Sequence, residues 1–270
     1  MKRCDMPLKK NAFMVGMTLC LCLGIAGIFF TGCDNGGSYE AKLEDAKIAM
    51  DDGDYAQAKS ILETLPQTEE VLEYMSNAIA GGELGLDTLN IISTLGDLED
   101  SNNQGSIDMV GLIIAGGDDQ LTEEEIATKL ASATEAIELF KTIADMNSTG
   151  SKAIDVVVLT NNQKMQLGLL SITRTVLTMA DQICRATGGN PVTMAEAWIR
   201  ANRDNFLPVS PTQDEIDRID EDILFIGYAI DIFSDTSDLK DDYLAFKDEL
   251  DANGDGVTSA DEINDYLTNL

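Results

Sequence analysis

Towards the carboxyl end, oxygen-bearing residues recur at every second position and one carboxylate closes the run: Asp251, Asn253, Asp255, Val257, Ser259 and then Glu262, with Gly254 and Gly256 between them. The atoms they offer are carboxylate, amide, hydroxyl and main-chain carbonyl oxygens. A hard divalent cation that collects about six to eight oxygens is matched by this set, which holds no nitrogen or sulfur donor. Histidine is absent from all 270 residues. Ser-His and Cys-His nucleophiles are therefore excluded, as is any His-ligated zinc, copper or haem. Two helices must position the run. Leu239, Tyr243, Phe246 and Leu250 draw an apolar face before it, and Ile263, Tyr266, Leu267 and Leu270 draw one after it. Ser259 and Glu262 also have the spacing of a capping box for the exiting helix.

Residues 251–262 resemble the EF-hand loop at every ligand position. The resemblance implies Ca2+ as the bound ion. Asp251, Asn253 and Asp255 would give side-chain oxygens, Val257 its carbonyl, Ser259 a direct or water-mediated contact, and Glu262 both carboxylate oxygens. Gly256 would take the positive φ at the sharp bend. Thr258 stands where the family usually has Ile, Val or Leu pairing with a second loop, which speaks against a paired lobe and leaves the ligands intact. An exported module of this type binds calcium at about 10⁻⁴ to 10⁻³ M, as a stabiliser more than a switch. Asp100, Asn102, Gln104, Gly105 and Ile107 echo the pattern, but Gly111 falls where the closing carboxylate belongs. A plain polar loop is expected there.

The amino terminus gives the compartment. Lys2, Arg3, Lys9 and Lys10 precede an apolar run from Ala12 to Phe30, the layout of an export signal. The run ends in Phe30-Thr31-Gly32-Cys33, which resembles the bacterial lipobox with Phe in place of the usual Leu. That resemblance implies cleavage before Cys33, a lipid on its sulfur, and a chain tethered to a membrane of the bacterial cell envelope on its periplasmic or surface side. Asp34 resembles the inner-membrane retention signal of enteric bacteria. The alternative is an uncleaved transmembrane anchor. Of five cysteines, Cys4, Cys20 and Cys22 would leave with the signal and Cys33 would carry lipid, so Cys184 remains alone, as a buried core thiol.

Lys and Arg number 18 against 48 Asp and Glu, a net charge of −30. Cleavage would remove four basic residues and one acid, leaving 14 against 47, or −33. Nucleic acid and anionic membrane surfaces are excluded as partners by repulsion. An apolar fraction of 44% is nevertheless ordinary for a folded core.

The fold expected is all-α: a helical bundle, or a short repeat-like helical array, with a C-terminal EF-hand helix-loop-helix. Capping patterns mark helix starts at Thr122 with Glu125, Thr193 with Glu196 and Thr212 with Glu215. Glu123 to Glu125 read as first-turn acids complementing the helix dipole. Ile216, Ile219, Ile223, Ile226, Ile230 and Phe233 form one stripe, with Asp217, Asp220, Glu221 and Asp222 expected among its solvated flanks. The stripe suits a bundle interior, or an oligomer seam between chains. Ala46, Ala49, Gly53-Asp54-Tyr55, Ala58, Leu62 and Leu65 are spaced as in a tetratricopeptide repeat, which the segment resembles over about one repeat. A degenerate second helical pair is expected around Gly81-Gly82 and Gly85.

The organisation expected is therefore a signal over 1–32, a lipidated tether over 33–40, tetratricopeptide-like hairpins over 41–98, a helical body over 99–235 with a polar loop near 97–119, and the EF-hand over 236–270. The function expected is a non-enzymatic, membrane-tethered, calcium-binding scaffold or protein-binding module with an exported protein partner. The alternatives are an enzyme cleaving envelope polymers with paired carboxylates, or an accessory subunit of an envelope assembly or secretion complex.

Overall fold

The computed structural model describes residues 37–86, 120–148, 156–192, 202, 210–232, 240, 244, 247–248, 250–255 and 257–269. The export segment with Cys33, the polar stretch 97–119, the cap at Thr193, Phe233, Leu239, Tyr243, Phe246, Gly256 and the side chains of Leu267 and Leu270 lie outside the described residues. Met1–Lys42 and Leu43–Leu270 are separate units. In the first, Ser38 Oγ accepts the Ala41 N–H and opens α1 (Tyr39–Asp51). The second carries the rest of α1 and then α2 (Tyr55–Leu62), α3 (Glu69–Ile79), α4 (Glu123–Asn147), α5 (Asn161–Ala186), α6 (Gln213–Ile230) and α7 (Ala260–Asn269). Among the described residues there is no strand, only one antiparallel bridge between Leu121 and Val192. The all-α expectation holds. No described helix is long and apolar enough to cross a membrane.

Helix starts follow the sequence. Thr122 with Glu125 and Thr212 with Glu215 close reciprocal capping boxes on α4 and α6. Thr160 with Gln163 builds a third on α5, with glutamine in the place of glutamate. Ala46, Ala49 and Ala58 are buried, as are Leu62 and Leu65. Of the three glycines around which a second helical pair is expected, Gly81 and Gly82 do not bend the chain and Gly85 does, and residues 87–98 lie outside the described residues. Gly81 and Gly82 sit inside a π-helical turn, Ala80–Leu84, that continues α3, and the chain breaks only at Gly85 with φ +74°. A Cβ on Gly81 would lie 2.3 Å from the Tyr55 ring, so glycine there admits the tyrosine and makes no hairpin bend.

The central helix is α5, buried around most of its circumference. Its closest neighbour is α6, and the two approach so tightly that a Cβ on Gly168 would fall 2.4 Å from the Ala229 Cβ. In an open helix, Gly→Ala would stabilise by about 1 kcal/mol. Here the close crossing reverses the sign. Gly168→Ala is expected to cost about 1–3 kcal/mol, read from the urea midpoint at unchanged slope.

Ile216, Ile219, Ile223, Ile226 and Ile230 are all buried. The first three share a core with Ile126 of α4, Val176, Met179 and Ile183 of α5, and Leu250 and Ile263 on either side of the acidic loop. The described part of the stripe is thus an inner face of this chain. The acids flanking it correct the expectation of solvation. Asp217 is exposed, but Asp222 is completely buried and Glu221 half-buried. The cause is Arg174 on α5, whose guanidinium reaches Asp222 Oδ1 at 2.7 Å and Glu221 Oε2 at 2.6 Å, while Lys141 of α4 holds Glu221 Oε1 at 2.7 Å. One acidic turn of α6 is therefore clamped by cations from both neighbouring helices.

Candidate metal site

The chain enters the loop at Asp251, whose N–H donates to the Lys247 carbonyl, after Leu250 has been drawn wholly into the core. The Gly254 N–H then donates to the Asp251 carbonyl, and Gly254 takes φ +72°, a left-handed bend that glycine adopts without strain. Two Asx turns carry the chain through the middle. Asn253 Oδ1 accepts the Asp255 N–H at 2.8 Å, and Asp255 Oδ1 accepts the Val257 N–H at 3.0 Å. These turns tie residues 253, 255 and 257 into a tight, solvent-exposed curve, with the Val257 side chain turned out to solvent.

Glu262 joins the two limbs. Its Oε1 accepts the Asn253 N–H at 3.0 Å, and its Oε2 accepts both the N–H and the hydroxyl of Ser259, at 2.9 and 2.7 Å. The Glu262 N–H donates back to Ser259 Oγ, completing the capping box read from the sequence. The Ser259 hydroxyl, and after it the Asn253 amide, holds the Glu262 carboxyl below the usual range. A carboxylate has about four acceptor directions, and Oε2 spends two of them on Ser259, so a cation bound by both oxygens would displace one of these hydrogen bonds.

Asn253, Ser259 and Glu262 are thus brought together, and Asp255 and Val257 are linked to Asn253 by the turns. Asp251 is half-buried at the loop's entrance. Among the described residues no three carboxylates or thiols converge into a metal cluster. The loop's acceptors are instead engaged by its own amides. The donor set still fits calcium chemically, because it is all oxygen and Glu262 already spans the two limbs that a bidentate ligand must join.

One contact of the site was not foreseen. The Thr258 side chain is buried, and its N–H donates to Asp220 Oδ1 of α6 at 2.8 Å. Nothing local in the sequence marks a contact across 38 positions. Beyond the loop, Asn264 Oδ1 accepts from Gln182 Nε2 at 3.0 Å, which fixes α7 to α5.

Two other features bear on chemistry. Cys184 is buried, its S–H donates to the Asn190 carbonyl, and burial followed by the nearby negative charges of Glu123 and Asp181 pushes its pKa up. It is the inert core thiol expected. On α1 and α2, Asp45, Asp52 and Asp54 line an open cleft of about 420 Å³ together with Ala49, Ile61 and the exposed Ile48. No protein-family model matches the chain, and the searches of curated proteins and of solved structures likewise find no match.

Proposed function

We propose that the chain is an exported calcium-binding lipoprotein: a non-enzymatic helical body tethered through Cys33, with one calcium ion bracing its carboxyl-terminal hairpin. The observation that carries this reading is the bridge made by Glu262, which ties Asn253 to Ser259 within an all-oxygen loop. Calcium bound there would act on the whole body, because Leu250 and Ile263 beside the loop belong to the core of α4, α5 and α6. A partner bearing basic and apolar side chains is the chemistry that the acidic cleft of α1 and α2 would accept.

The alternative of paired-carboxylate catalysis finds less support. Burial pushes Asp222 up to about 7, the direction a general acid needs, but the side chain is wholly enclosed and held by Arg174 and Thr175. No polymer substrate reaches it. The proposal is tested by melting the lipidated chain in calcium, in magnesium and in chelator. Calcium at ten times its dissociation constant should add about 1.4 kcal/mol to stability, visible as a raised Tm. Cys33→Ala should abolish labelling by a fatty-acid probe. A Tm indifferent to calcium, or labelling that survives Cys33→Ala, would count against the corresponding half.

A further inference from the structure

In a paired EF-hand the middle of each loop is held by the other loop, through a short strand that usually carries Ile, Val or Leu where this chain has Thr258. Here a side chain from elsewhere in the fold holds that point. Asp220 Oδ1 accepts the Thr258 N–H at 2.8 Å, and the threonine side chain is buried. The acceptor is itself fixed. Ile219 and Ile223, on either side of Asp220, are locked into the core, and the following Glu221 and Asp222 are gripped by Lys141 and Arg174. An ionised carboxylate receiving an amide makes a stronger hydrogen bond than a neutral carbonyl would.

We infer that Asp220 is a positioning residue for the loop, substituting for a second EF-hand loop and coupling the calcium site to α6. It lies outside the loop and is none of its ligand positions. By holding Thr258 it sets the approach of Val257 and Ser259, the residues on either side. The calcium part of this inference rests on the function proposed above; the coupling of loop to helix does not.

The test compares the full lipidated chain in detergent with Asp220→Ala, Asp220→Asn and Asp217→Ala. Asp217 is exposed on the same helix, so its removal controls for lost charge. Two quantities are read: hydrogen exchange at the Thr258 amide in chelator, and calcium affinity by calorimetry. Asp220→Ala should speed exchange about tenfold and weaken calcium binding about five- to tenfold. Asp220→Asn, which keeps an oxygen acceptor in the same shape, should retain most of both, and Asp217→Ala should change neither. Unchanged Thr258 exchange in Asp220→Ala overturns the inference, as does wild-type calcium affinity in that variant. Faster exchange in a protein that binds no calcium at all would uphold the coupling and defeat the calcium reading alone.

Discussion

Arg174→Met should destabilise the folded chain by about 3–5 kcal/mol at neutral pH, because it strands a carboxylate in the core. Arg174 is 2% exposed and Asp222 0%. The arginine Nε lies 2.9 and 3.1 Å from the two Asp222 oxygens, and Thr175 Oγ1 donates to the same carboxylate at 3.2 Å. Without the guanidinium, only that hydroxyl remains. Asp222→Ala should cost less, about 3 kcal/mol, since Arg174 keeps Glu221 as partner. The double change Arg174→Met with Asp222→Leu should recover most of the loss, because an apolar pair of similar volume needs no desolvation. Urea denaturation of the three variants reads all of these numbers. A simple sum of the two single losses in the double variant would show that the residues do not act as a pair.

The same carboxylate gives the pH dependence its sign. Burial, opposed by Arg174, raises Asp222 from the ordinary range to about 7. A group with a raised folded pKa favours the folded state below its unfolded value, near 3.9, and that contribution is lost as pH climbs through the folded value. The stability of wild type relative to Asp222→Asn should therefore fall between about pH 4 and 7. Glu221 and Glu215 work the other way. Burial would raise both, but Lys141 and Arg174 outweigh it at Glu221, and Thr212 and Arg185 outweigh it at Glu215, so both are held low. Their contribution is present above the unfolded value near 4.3 and lost as pH falls through the lowered folded values. Acid unfolding should begin below about pH 4, where these ion pairs are protonated.

How much of this was legible in the sequence depends on the range of the interaction. Thr122 with Glu125 and Thr212 with Glu215 act over three residues, and both boxes form as spaced. The isoleucine stripe fixed the buried face of α6 because period alone decides which residues share a side. The capping box at Ser259 and Glu262 was visible for the same reason. Periodicity could not distinguish Asp217, which meets water, from Asp222, which meets Arg174 from α5. That difference lies in the partner helix, 48 residues away in sequence. Asp220, expected only as a solvated flank, is set in the same way by an amide partner 38 positions downstream. Gly81 and Gly82 were legible as glycines but not as room for Tyr55, since only packing shows what a missing Cβ admits.

The calcium loop carries the second large effect. Asp251→Ala with Glu262→Gln should abolish calcium binding, because it removes the charge of the residue that opens the loop and of the one that must close it. Glutamine at 262 can still accept from Ser259 and cap α7, so the fold should stand while the ion is lost. Far-UV circular dichroism of the double variant checks that separation. Titration calorimetry of the lipidated chain with calcium then tests the central claim directly. The account predicts one ion bound by wild type with a dissociation constant of about 10⁻⁴ to 10⁻³ M and no binding heat from the folded double variant; equal heats from the two proteins would contradict it.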